Sequence, residues 1–121
     1  MEIKLALTML SISFLITGCT YKSISDVYVE DFYTSSPYTC EVSDVDLNHR
    51  EAKIFFERAK RVSYRELQEH YNYAPCYIEG WIKKHGEVCD WKIRAGLTGS
   101  IDCKGDIKYY VCDECDFLLK E

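Results

Sequence analysis

Six cysteines lie between positions 40 and 115, and five of them fall in one stretch, Cys76 to Cys115. That density constrains the fold more than any other feature. A small domain buries only a modest core, and disulfides limit the freedom of the unfolded chain that such a core must overcome. The same stretch alternates. Cys76, Ile78, Gly80 and Ile82 alternate with Tyr77, Glu79, Trp81 and Lys83, and Cys89, Trp91 and Ile93 alternate with Val88, Asp90, Lys92 and Arg94. A period of two is the pattern of a half-buried strand. A two-residue turn at His85-Gly86 pairs Ile82 with Cys89, Ile78 with Ile93 and Glu79 with Lys92. Apolar side chains then meet apolar ones and opposite charges meet, which supports that register. Gly96 and Gly99 flank the next turn. Ser100 to Cys103 and Ile107 to Cys112 read as a second hairpin around Lys104-Gly105-Asp106.

Upstream the period changes. Asn48 with Glu51, and Ser63 with Glu66, are capping-box pairs. Behind the first, Ala52, Phe55, Phe56, Ala59 and Val62 make one helical stripe, with Lys53, Glu57, Arg58, Lys60 and Arg61 on the other side. Behind the second, Tyr64, Leu67 and Tyr71 share a side until Asn72 and Pro75 end the helix. The predicted fold is α+β, with two N-terminal helices packed on one face of a four-stranded antiparallel meander, stapled by disulfides. Tyr38 to Val42 reads as a brief strand that holds Cys40 against the body. Tyr21 to Pro37 reads as a tether with a short strand at Val27 to Val29.

The N-terminal segment sets a location. Leu5 to Ile16 is apolar but too short to cross a bilayer as a helix. Lys4 and the amino terminus precede it, which is signal-peptide anatomy. It ends in Ile16-Thr17-Gly18-Cys19, which resembles the lipobox of bacterial lipoproteins. The resemblance covers residues 1–20 alone; Glu2 in the positive region departs from it. It implies cleavage before Cys19 and lipidation of that cysteine, which anchors the protein to a membrane through its acyl chains. Thr20, rather than Asp, follows the cysteine, so the resemblance favours the periplasmic face of the outer membrane. The expected organisation is residues 1–18 as signal peptide, 19–37 as lipidated cysteine and tether, and 38–121 as a small cysteine-rich domain.

Formal net charge is −5. No nucleic-acid partner is expected, because such proteins carry a basic footprint. Between Thr20 and His49 the acids Asp26, Glu30, Asp31, Glu41, Asp44 and Asp46 face a single base, Lys22. Such a segment is either a solvated acidic stretch or a docking surface for a basic partner.

Cys40, Cys76, Cys89, Cys103, Cys112 and Cys115 form an even set, which outside the reducing cytosol implies disulfides. The hairpin register brings Cys89 and Cys103 to one end of neighbouring strands and makes them the favoured pair. Cys112-Asp113-Glu114-Cys115 is a CxxC. In redox enzymes a helix N-terminus or a nearby cation stabilises the leading thiolate, whereas Asp113, Glu114 and Asp116 oppose it here. A zinc site takes four ligands, so Cys112 and Cys115 would need Cys103 with Cys89 or His85. Structural disulfides are the expectation, with redox and zinc as the alternatives; no metal or cofactor is expected.

His49, His70 and His85 are scattered and sit in no nucleophile motif. Asp44-x-Asp46-x-Asn48 opens like a calcium loop, but His49 stands where Gly is required and Phe55 where the closing Glu belongs. Trp81 falls on the sheet face opposite the apolar one, beside Tyr77. It is either a partner's anchor point or packed beneath the tether. Three functions follow: a non-catalytic lipid-anchored binding protein such as an inhibitor or immunity protein against an envelope-acting toxin, a structural accessory of the envelope, or a thiol oxidoreductase using Cys112 and Cys115.

Overall fold

The computed structural model of the protein describes residues 24–119, so the signal segment 1–18 and Cys19 lie outside the described residues. One sheet dominates. Its strands are β1 (Ile24–Thr34), β2 (Lys60–Val62), β3 (Cys76–Lys84), β4 (Glu87–Arg94), β5 (Thr98–Cys103) and β6 (Asp106–Val111). They run antiparallel in the order β1-β3-β4-β5-β6-β2. Two helices, α1 (His49–Arg58) and α2 (Tyr64–His70), flank β2 in sequence.

The four strands of the meander fall in the segments where alternation places them. Ile82 faces Cys89, Ile78 faces Ile93 and Glu79 faces Lys92. His85 and Gly86 both take positive φ, 52° and 78°, as a two-residue hairpin turn of matching twist demands. The next hairpin is also tight. Lys104 and Gly105 turn the chain at φ 57° and 91°, and Asp106 is already paired with Cys103 rather than part of the loop.

The sheet has six strands, not four, and the helices are not N-terminal; both points correct the sequence expectation. Residues 24–34, expected as tether, form an 11-residue strand paired along β3. Two register shifts, at Ile24/Asp26 and Val29/Asp31, break its alternation, and β-bulges of this kind bend and twist a strand. Lys60–Val62, expected to continue the first helix, pairs with β6 as β2. Helix α1 stops at Arg58 and turns extended at Ala59. The segment Tyr38–Val42 is a turn leading into a single 3-10 turn at Val42–Asp44, not a strand.

The two helices also lie on opposite faces. Asn48 and Ser63 cap them as expected, each accepting from the backbone N–H three residues on. Phe55 and Phe56 of α1 pack on the inner face, where Ile78, Ile82, Trp91, Ile93 and Ile101 are buried. Phe56 meets Trp91 and Tyr110 edge-on at 5.6 and 5.9 Å. The indole N–H of Trp91 donates to the carbonyl of Trp81 at 2.9 Å, so this large buried ring leaves no polar group unpaired. Helix α2 instead sets Leu67 against Val62 and Val111, on the outer face at the β6–β2 edge. The outer face beyond that corner is overlaid by no described helix.

Helix α1 also guards the β1 edge. His49 Nδ1 accepts from the backbone N–H of Val29 at 2.9 Å, and Lys53 Nζ donates to the carbonyl of Ser25 at 3.3 Å. An unguarded edge would present free backbone groups to another strand.

Gly80 is where β1 comes closest. A Cβ there would stand 1.8 Å from the backbone oxygen of Tyr28 and 3.0 Å from the Trp91 ring. Gly80→Ala therefore pushes β1 off β3 or shifts Trp91. We expect a loss of about 3 kcal/mol, at the upper end of overpacking costs, measured by chemical denaturation against wild type.

Candidate functional site

The cysteines assemble first. Cys40 is bonded to Cys76, Cys89 to Cys103 and Cys112 to Cys115. The pair favoured by hairpin register is among them. Cys40–Cys76 ties the loop after β1 to the start of β3. Two groups bring a carboxylate beside cysteine sulfur: Asp44 with Cys40 and Cys76, and Glu87 with Cys89 and Cys103. In both, the sulfurs are bonded to each other, and metal ligation requires free thiolates. The zinc alternative also fails on distance. Cys112 N–H bonds to the carbonyl of Leu97, just before β5, while Cys103 ends β5. Six residues of strand at 3.3 Å each separate them by roughly 20 Å.

The CxxC bridge is buried, with Cys112 5% and Cys115 0% exposed. Its intervening Asp113 and Glu114 are exposed. Asp113 accepts from the Tyr71 hydroxyl at 3.2 Å and lies 3.6 Å from Lys60 Nζ. The bridge thus closes a turn that is laced to α2 and β2. Thiol exchange needs access to a sulfur, which this packing restricts.

The outer face carries the remaining candidates. Trp81 and Tyr77 both project there from β3, and each meets a tyrosine of β1. Trp81 stacks on Tyr28 at 4.4 Å, and Tyr77 is tilted against Tyr33 at 5.2 Å. The two rings singled out in the sequence are therefore half of a cross-strand aromatic ladder. Tyr28 and Tyr33 come from the segment expected as tether, so Trp81 packs against that segment, whose bulges hide its alternation as a strand.

Next to the ladder the charge separates. A cleft of about 420 Å³ is bordered by Glu30, Glu79, Asp90 and Asp102, with Lys92. A second, of about 260 Å³, is bordered by Tyr64 and Tyr73 and floored by Lys92, Arg94, Thr98 and Tyr109. No acid lines it. Lys92 sits over the Tyr77 ring at 4.8 Å, and Arg94 lies over Tyr73 at 4.0 Å and Tyr77 at 4.7 Å. Arg94 also donates to the carbonyl of Ala74 at 2.9 Å and to the Tyr73 hydroxyl at 2.7 Å. Sequence reasoning missed this second cleft. The signal was present in the alternation of β4, which places Lys92 and Arg94 on one face.

No protein-family model, curated protein or solved structure matches the chain. Among the described residues no helix is long and apolar enough to cross a membrane.

Two outcomes follow. The loops closed by the disulfides span 36, 14 and 3 residues. Chain entropy then ranks the loss on replacing each pair by alanine at roughly 4, 3 and under 2 kcal/mol in the same order, read from denaturation of the three double variants. Burial and the Asp113 carboxylate raise the Tyr71 pKa above the ordinary tyrosine value. The protonated phenol is therefore favoured in the folded chain. Its stabilising contribution is complete below the unfolded value and is lost as pH rises through the folded one. Tyr71→Phe should lower stability at neutral pH and flatten the decline above pH 10, seen by comparing the two denaturation profiles.

Proposed function

We propose that the protein is a lipid-anchored binding protein without catalytic activity, held at the periplasmic face of the outer membrane through Cys19. It binds a protein partner, in the manner of an inhibitor or immunity protein against an envelope-acting toxin. One observation carries the reading: the outer sheet face sets a ladder of half-exposed aromatic rings, Tyr28–Trp81 and Tyr33–Tyr77, among carboxylates. Rigid aromatic rings give large contact area at little entropic cost and anchor protein interfaces. The bordering Glu30, Glu79, Asp90 and Asp102, in a chain of net charge −5, fit a basic partner. The strands hold these rings in place, so the surface is ordered before it is engaged. The thiol oxidoreductase reading is set aside on the burial of Cys112 and Cys115.

The test has two arms. Labelled fatty acid should enter the full chain and not Cys19→Ser, and only the former should co-fractionate with outer membrane. The full chain in detergent should capture one basic protein from envelope extract at about equal stoichiometry, and Trp81→Ala and Glu79→Lys should each weaken that capture at least tenfold. Trp81 and Glu79 are on the outer face, so circular dichroism should report both variants folded. Capture that is indifferent to both substitutions would sink the proposed face, and unlabelled wild type would sink the anchor.

A further inference from the structure

The 260 Å³ cleft between α2 and the floor of β4, β5 and β6 goes beyond the proposed partner surface. Its chemistry runs against the rest of the molecule. The chain is acidic overall, yet this cleft is lined by Lys92 and Arg94 with no carboxylate. Neither cation forms an ion pair among the described residues; ring faces and neutral oxygens are their partners. Glu79 is opposite Lys92 in the strand register but does not close on it. A guanidinium has five N–H donors, and two hydrogen bonds hold Arg94 in place without exhausting them.

A second observation points the same way. Thr98 lines the cleft at 3% exposure, and its hydroxyl has no hydrogen bond within the described protein. A threonine hydroxyl can donate a hydrogen bond to a bound anion. Around it stand the rings of Tyr64 and Tyr109, 5.1 Å apart and tilted, with Tyr73 at the far wall.

We infer that this cleft binds a small organic anion, its carboxylate or phosphate head held by Lys92, Arg94 and the Thr98 hydroxyl and its flat body against the tyrosine rings. The volume suits a ligand of a few to about a dozen heavy atoms, below the usual range for drug-sized molecules. Lys92 also borders the acidic cleft, but two cations lining this one with no carboxylate favour an anion over a neutral isostere. The arrangement does not depend on lipidation or on a protein partner.

The experiment is an NMR titration of the full-length, isotope-labelled protein in detergent with benzoate, benzamide, acetate and inorganic phosphate. Benzoate should shift amides of Lys92, Arg94, Thr98 and Tyr109 with a Kd on the order of 1 mM or tighter, and benzamide should bind at least tenfold more weakly. Lys92→Gln and Thr98→Val, both leaving the remaining spectrum in place, should each weaken benzoate, the first by about tenfold. Phosphate or acetate binding at the same amides supports the site, and the tighter of the two identifies the head group. The inference is overturned if no anion moves these amides, if benzamide equals benzoate, or if Lys92→Gln leaves binding unchanged.

Discussion

The register of the β3–β4 hairpin decides everything else in this molecule. Two residues of positive φ, His85 and Gly86, close it without slack. Because side chains alternate, a slip of one residue would exchange the two faces of the sheet. With the register fixed, Trp91 and Ile93 go inward to α1 while Lys92 and Arg94 go outward. The disulfide Cys89–Cys103 carries that choice to β5, and pairing carries it to both edges. The buried core and the open face are thus two readings of one alternating strand.

Much of the meander and both helix starts were legible in the sequence because each depends on short-range rules. Alternation, a Gly-containing turn and a capping box all act within a few residues. Other features obeyed no such rule. β1 is acidic, carries two bulges and buries only Val27 fully, so its own residues do not announce a strand. Its pairing is dictated by β3, whose Gly80 admits the Tyr28 carbonyl. β2 is three residues long and continues the apolar spacing of α1, so Val62 read as helix. Its burial comes from the opposite side, from Leu67 and Val111. Which face each helix covers is a property of the connections and not of either helix alone.

The candidate site divides in the same manner. Trp81 and Tyr77 were visible as exposed aromatic residues, but their partners Tyr28 and Tyr33 arrive from some fifty residues away in the chain. Lys92 and Arg94 share a face by simple alternation. The enclosure around them comes from Tyr64 and Tyr73, which only the placement of α2 brings near. The cysteines were countable from the start, and one pair followed from register. Cys40–Cys76 depended on a loop whose path the sequence misjudged.

The contact between His49 and Val29 has a chemical condition attached. The imidazole accepts the Val29 N–H through Nδ1, and only the neutral ring has a nitrogen free to accept, since the imidazolium bears hydrogen on both. An open rim is where separate copies of a chain can hydrogen-bond into fibrils. The histidine at the head of α1 therefore occupies a backbone donor that a second copy of the chain would need in order to add its own strand at this rim.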